Sequence, residues 1–99
     1  MTIDELVIKS IDVQESMDKA YAESIAMLKR SGGGIPSASE INSVIALLEY
    51  GRDTSEEMMI TTNGKSDASS FMINASATIV ANQASSLMKR LEKLKCQLH

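Results

Sequence analysis

INASATIVANQASSLMKRLEKLKCQL, residues 73–98, decides the fold. Apolar side chains fall at Ile73, Ala77, Val80, Ala84, Leu87, Leu91, Leu94 and Leu98. The steps alternate four and three without a miss, which is the a/d seam of a heptad repeat on one long helix. The intervening positions are mostly Asn, Gln, Ser, Lys, Arg and Glu, so the seam has a polar back. A helix with one apolar seam needs a surface to cover it.

Working outward, the composition agrees with helix. The chain has 99 residues, with seven Met, two Tyr, one Phe and no Trp. Scarce aromatics and few β-branched runs argue against a sandwich or barrel. Met fits irregular gaps and specifies a packing less tightly than Leu or Ile. The expected fold is all-α, a bundle of three or four helices. An N-terminal helical hairpin packs with one long heptad-patterned C-terminal helix. Residues 1–99 form a single helical domain, with 1–11 as an alternative mobile arm or separate turn.

Toward the N-terminus, Thr2 and Glu5 spell a capping box. Ile3, Val7, Ile11, Met17, Tyr21, Ile25 and Leu28 follow as the expected apolar face of a first helix reaching about Arg30. Asp12 and Glu15 offer a second start, so a break near Ser10–Asp12 is the competing reading. Lys29 and Arg30 suit the negative end of the helix dipole. Ser31-Gly32-Gly33-Gly34 reads as a helix stop and hinge. A phosphate loop would need a preceding strand and a following Lys-Ser/Thr, and neither is present.

Ser37 and Glu40 spell another capping box, and Ile41, Val44, Ile45 and Leu48 mark a short second helix with Gly51 as its natural stop. Thr54 with Glu57 offers a third start, either a separate short helix or a continuation past Gly51. Thr61 to Lys65 reads as an interhelical loop, and Ser66 or Asp67 caps the last helix. Phe71 and Met72 are expected to join its first turns to the core.

The segment SIAMLKRSGGGIPSASEINSVIALLE, residues 24–49, resembles the core of the small enterobacterial biofilm and stress regulators of the YmgB/AriR and YcgZ type. A helix ends in an apolar pair, then comes a polar residue with Gly at Ser31-Gly32. An apolar residue stands at Ile35, and a second helix closes on Leu48-Glu49. The resemblance implies a dimeric helical regulator acting by protein contacts on a two-component phosphorelay, with DNA binding proposed for one member. It carries over no functional residue. The long heptad helix departs from that pattern.

Charge is uneven. Residues 1–62 hold five Lys/Arg and eleven Asp/Glu, while residues 63–99 hold five and two. Such polarity can orient a contact or steer a partner. A nucleic-acid domain would be basic overall, which argues against nucleic acid as partner. No run approaches the roughly 18 apolar residues of a membrane span. The acidic N-terminus does not read as a secretory signal. A cytoplasmic protein is expected, with Cys96 as a free thiol.

Chemistry has few parts to work with. His99 is the lone histidine, and the many Ser and Thr have no nearby base. The acidic pairs Asp4-Glu5 and Glu56-Glu57 sit where helix starts favour negative charge. The expectation is no enzyme, no cofactor, no metal and no small-molecule ligand.

The seam has two readings, intramolecular core or oligomer interface. At about 1.5 Å per residue the last helix is roughly 45 Å long, more than double a second helix ending at Gly51. That excess favours an interface, wholly or in the C-terminal half. Leu87, Leu91, Leu94 and Leu98 would supply its apolar contact, and Lys89, Arg90 and Lys93 its rim. The expected function is a small non-enzymatic regulator or adaptor, a homodimer or the partner of a protein with an amphipathic helix. A helical secretion chaperone or secreted assembly subunit is the alternative, followed by a DNA-associated regulatory protein.

Overall fold

A helix forms where apolar side chains recur every three or four residues and the ends are capped, and three such stretches fold among the described residues. The structure, a computed structural model, describes residues 2–29 and 37–97, the side chain of Leu28 excepted. It contains α1 (Ile3–Lys29), α2 (Ala38–Thr62) and α3 (Ala68–Gln97). The glycine hinge at 31–34, the end of the first helix at Arg30, Ile35, Leu98 and His99 lie outside the described residues.

α1 begins at the first of its two written starts. Thr2 Oγ1 accepts from the Glu5 backbone N–H at 3.2 Å, and the helix runs unbroken through Ser10–Asp12. α2 begins on the full capping box of Ser37 and Glu40. α3 begins on Asp67, whose carboxylate accepts from the Ser70 backbone N–H at 2.9 Å. Between α2 and α3, Gly64 adopts φ 78°, a left-handed conformation that glycine takes without steric cost.

The antiparallel order follows from contacts at both ends. Lys9 pairs with Glu57 at 3.6 Å, joining the start of α1 to the end of α2. Asn74 Nδ2 donates to the Met59 carbonyl at 3.1 Å and to Thr62 Oγ1 at 3.0 Å, joining the end of α2 to the start of α3. At the far end Lys95 Nζ donates to Asn42 Oδ1 at 2.8 Å. The result is a three-helix rod of 51 × 19 × 17 Å.

The core runs the length of the rod. Ile41, Val44, Ile45 and Leu48 of α2 are all buried, as their spacing requires. α1 differs from the expected face. Its buried residues are Leu6, Val13, Met17, Ala20, Ser24 and Met27, while Ile3, Val7, Ile11 and Ile25 are exposed. The reason is angular. Ile11 and Met17 stand six residues apart, about 240° of rotation, so no single stripe holds both. α1 therefore carries two apolar stripes, and the bundle covers one.

α2 differs too. It passes through Gly51 and continues for eleven further residues to Thr62. Gly51 is buried, and a Cβ placed there would lie 2.9 Å from Met17 Sδ and 3.3 Å from Met17 Cγ. The glycine is a place of close helix approach, not a stop. Thr54, Ser55, Met58 and Thr62 are then buried along the extension.

Two expectations follow. Gly51→Ala gains helix propensity of about 1 kcal/mol but crowds a flexible Met17, so urea denaturation should find it within about 1 kcal/mol of the native chain. Gly51→Leu has no such room and should lose about 1–3 kcal/mol or more. The second concerns acid. The Ser70 N–H stabilises the charged Asp67 carboxylate and holds its pKa below the ordinary value. A depressed pKa means the cap's contribution is full above the ordinary carboxylate range and disappears as pH falls through the lower folded value. Thermal melts followed by circular dichroism should show Asp67→Ala melting below the native chain at neutral pH. The two should converge in strong acid, where the native carboxyl is protonated.

Candidate interaction surface

The heptad seam of α3 lies inside the molecule. Ala77, Val80, Ala84, Leu87 and Leu91 are buried, Leu91 completely, and Ile73 and Leu94 are half-buried against the same core. The expectation that Leu87, Leu91 and Leu94 form an oligomer interface is therefore corrected. Because α2 runs past Gly51, it is 25 residues long against 30 for α3, and the seam does not outrun its own hairpin. Leu98 lies outside the described residues. Lys89, Arg90 and Lys93 are exposed, so they line the outside of the rod instead of rimming a leucine contact. Lys95 is half-buried and bonded to Asn42.

Apolar exposure sits elsewhere. Phe71 and Met72 do not join the core, being 72% and 69% exposed. Ile79 is 58% and Ile60 78% exposed. On α1, Ile3, Val7, Ile8 and Ile11 face solvent. These eight belong to the start of α1, the end of α2 and the first half of α3, which the Lys9–Glu57 and Asn74–Thr62 contacts place at one end of the rod.

Helical rotation sorts them by side. Tyr21 of α1 shares a hollow with Asn82, Gln83, Ser86, Leu87 and Arg90 of α3, which marks the sides on which these two helices meet. Met72 and Ile79 stand eleven residues, close to three turns, before Gln83 and Arg90, so they lie on that same side of α3. Val7 stands fourteen residues, nearly four turns, before Tyr21, and Ile3 and Ile11 flank it at i±4. Ile3, Val7 and Ile11 thus border Met72 and Ile79 along the α1/α3 side. Ile60 and Phe71 lie nearer the α2/α3 loop. Ile60 shares a hollow with Asn63 and Asn74, and Phe71 one with Gly64 and Lys65.

The electrostatics of α3 are unusual. Between Asp67 and Lys89 it carries no charged residue. Its exposed residues there are Ala, Ser, Phe, Met, Ile, Asn and Gln. A solvated helix surface ordinarily carries charge, and six turns without any set this face apart, although its Ser, Asn and Gln still bind water. This run was readable in the sequence as a gap in the charge pattern. The exposed stripe of α1 was readable as well, once Ile11 and Met17 are assigned to different faces.

Among the described residues, no group of three or more His, Cys, Asp or Glu is placed to hold a metal ion, and no helix is long and apolar enough to cross a membrane. No family model, curated protein or solved structure matches the chain.

The buried seam has a direct consequence. Leu91→Ala should cost about 2–5 kcal/mol of folding free energy, measured by chemical denaturation, because it empties a fully enclosed site. Leu91→Glu should abolish the cooperative transition by burying an unpaired charge. Native-like stability in either variant would return the seam to the surface.

Proposed function

We propose that this chain is a small non-enzymatic regulator or adaptor that works by protein contact through the uncharged, apolar α1/α3 side at one end of the rod. The observation that carries this reading is the gathering of Ile3, Val7, Ile11, Met72 and Ile79 in solvent beside a helix face without charge. Apolar side chains scattered singly on a surface need no explanation, but a contiguous group does. Covering what each still exposes would recover roughly 1 kcal/mol or more, so a partner surface is the natural cover. Phe and Met supply large, adaptable contacts of the kind protein interfaces favour. The likeness of residues 24–49 to small helical stress regulators supports the regulator reading by pattern.

The basic group Lys89, Arg90 and Lys93 lies on the outside of the opposite end. It supports steering toward an acidic partner and complements the negative end of the α3 dipole. No aromatic platform accompanies it, so it gives nucleic acid little beyond charge.

The test is affinity capture from the native cell with a tagged chain. The wild type should retain a stoichiometric protein partner, either untagged copies of itself or another chain. Met72→Glu and Val7→Glu should lose it while keeping native helical circular dichroism, since both side chains are exposed. Retention of the same partner by both folded variants would sink this reading.

A further inference from the structure

The surface proposed above does not say what covers it, and the charge pattern of α3 narrows the choice. The uncharged run from residue 68 to residue 88 is bracketed by opposite charges. Asp67 stands before it, and Lys89, Arg90, Glu92, Lys93 and Lys95 follow it, four positive charges against one negative. Asp4 and Glu5 lie at the same end as Asp67, because α1 and α3 run parallel, though Glu5 stands about 160° around α1 from Tyr21 and so faces away from α3. Lys65 also lies at that end and offsets one of these acids.

A face that is acidic at one end, uncharged in the middle and basic at the other is complementary to itself under a two-fold axis. We infer that the occupant is a second copy of this chain, docked antiparallel across the outer face of α3. The axis crosses α3 beside Thr78, midway between Asp67 and Lys89. Ile79 of one copy then lies within one turn of both Ile79 and Ala75 of the other, and the contact repeats by symmetry. Met72 and Phe71 lie over the partner's turn at Asn82 and Ser86. Lys89 and Arg90 reach the partner's end carrying Asp67 and Asp4. A parallel pairing would set Lys89, Arg90 and Lys93 against their own copies, which like-charge repulsion disfavours.

The size fits. Twenty-one residues of helix span about 31 Å, and two adjacent helices are about 20 Å wide, so each copy offers about 600 Å². That is near the lower bound for a stable interface, which predicts a dimer that dissociates in the micromolar range. This inference rests on the protein-contact reading above and names the partner within it.

Sedimentation equilibrium of the native chain should show a reversible dimer at micromolar concentration. Ile79→Glu should be monomeric with unchanged helical circular dichroism. Arg90→Glu should weaken association by about tenfold, and added salt should weaken the native dimer in the same direction. Crosslinking fixes the orientation. In a Cys96→Ser background, Ala75→Cys stands about 9 Å along the helix from its copy, beyond a direct disulfide, and should be joined rapidly by a short bismaleimide crosslinker. Native Cys96, exposed near the end of α3, should not, because the two copies would stand about 54 Å apart. Faster linkage through Cys96 than through Ala75→Cys would overturn the antiparallel arrangement. A native chain that stays monomeric across the range would overturn the dimer. If that monomer still captures another protein through Met72 and Val7, the adaptor reading survives and only the identity of the partner is wrong.

Discussion

The architecture depends on α2 running unbroken through Gly51, where the absent side chain lets Met17 of α1 lie directly on the helix backbone. A Cβ at this position would sit 2.9 Å from the Met17 sulfur. A glycine inside a helix costs only about 1 kcal/mol, and α2 passes through it. The extension then supplies Thr54, Ser55, Met58 and Thr62 to the core. With α2 nearly as long as α3, one chain covers its own heptad seam. Had α2 stopped at Gly51, part of that seam would face water.

Covering the seam moves the question of function to the outside of the rod. Leu87 and Leu91, which look like part of a zipper, are core, Leu91 fully enclosed, and Leu94 is half-buried against them. What remains in solvent is a second apolar stripe on α1 and the uncharged outer face of α3. These meet at one end because α1 and α3 run parallel and touch along the side that Tyr21 marks. A protein-contact function therefore draws on the residues the core did not need. The basic residues Lys89, Arg90 and Lys93 keep a place in that picture as the charged limit of the same face.

The interior is not uniformly satisfied. Among the described residues, the Ser55 hydroxyl is buried without a hydrogen-bond partner. Ser24 and Thr62, also buried, return their hydroxyls to the carbonyls one turn back, at 2.7 Å and 2.8 Å. Small polar residues of this kind let helices approach closely, at the cost of a weaker core than Leu or Ile would give. Together with the pliable Met17, Met27, Met58 and Met88, they describe a rod of modest intrinsic stability.

The helical class, the capped start at Ser37, the buried stripe of α2 and the seam of α3 were legible in the residues, because capping and periodicity are local properties of a helix, while the choices of Thr2 over Asp12 and Asp67 over Ser66 were made by the structure. The charge-free run of α3 was legible too, as was the clash of angle between Ile11 and Met17. Whether Gly51 ends a helix or admits a neighbour was not legible, because that depends on where Met17 of another helix comes to rest. Nor did spacing alone reveal which apolar stripe faces inward. A helix wheel orders side chains around one axis, and only the packing of three axes against each other selects the side that leaves water.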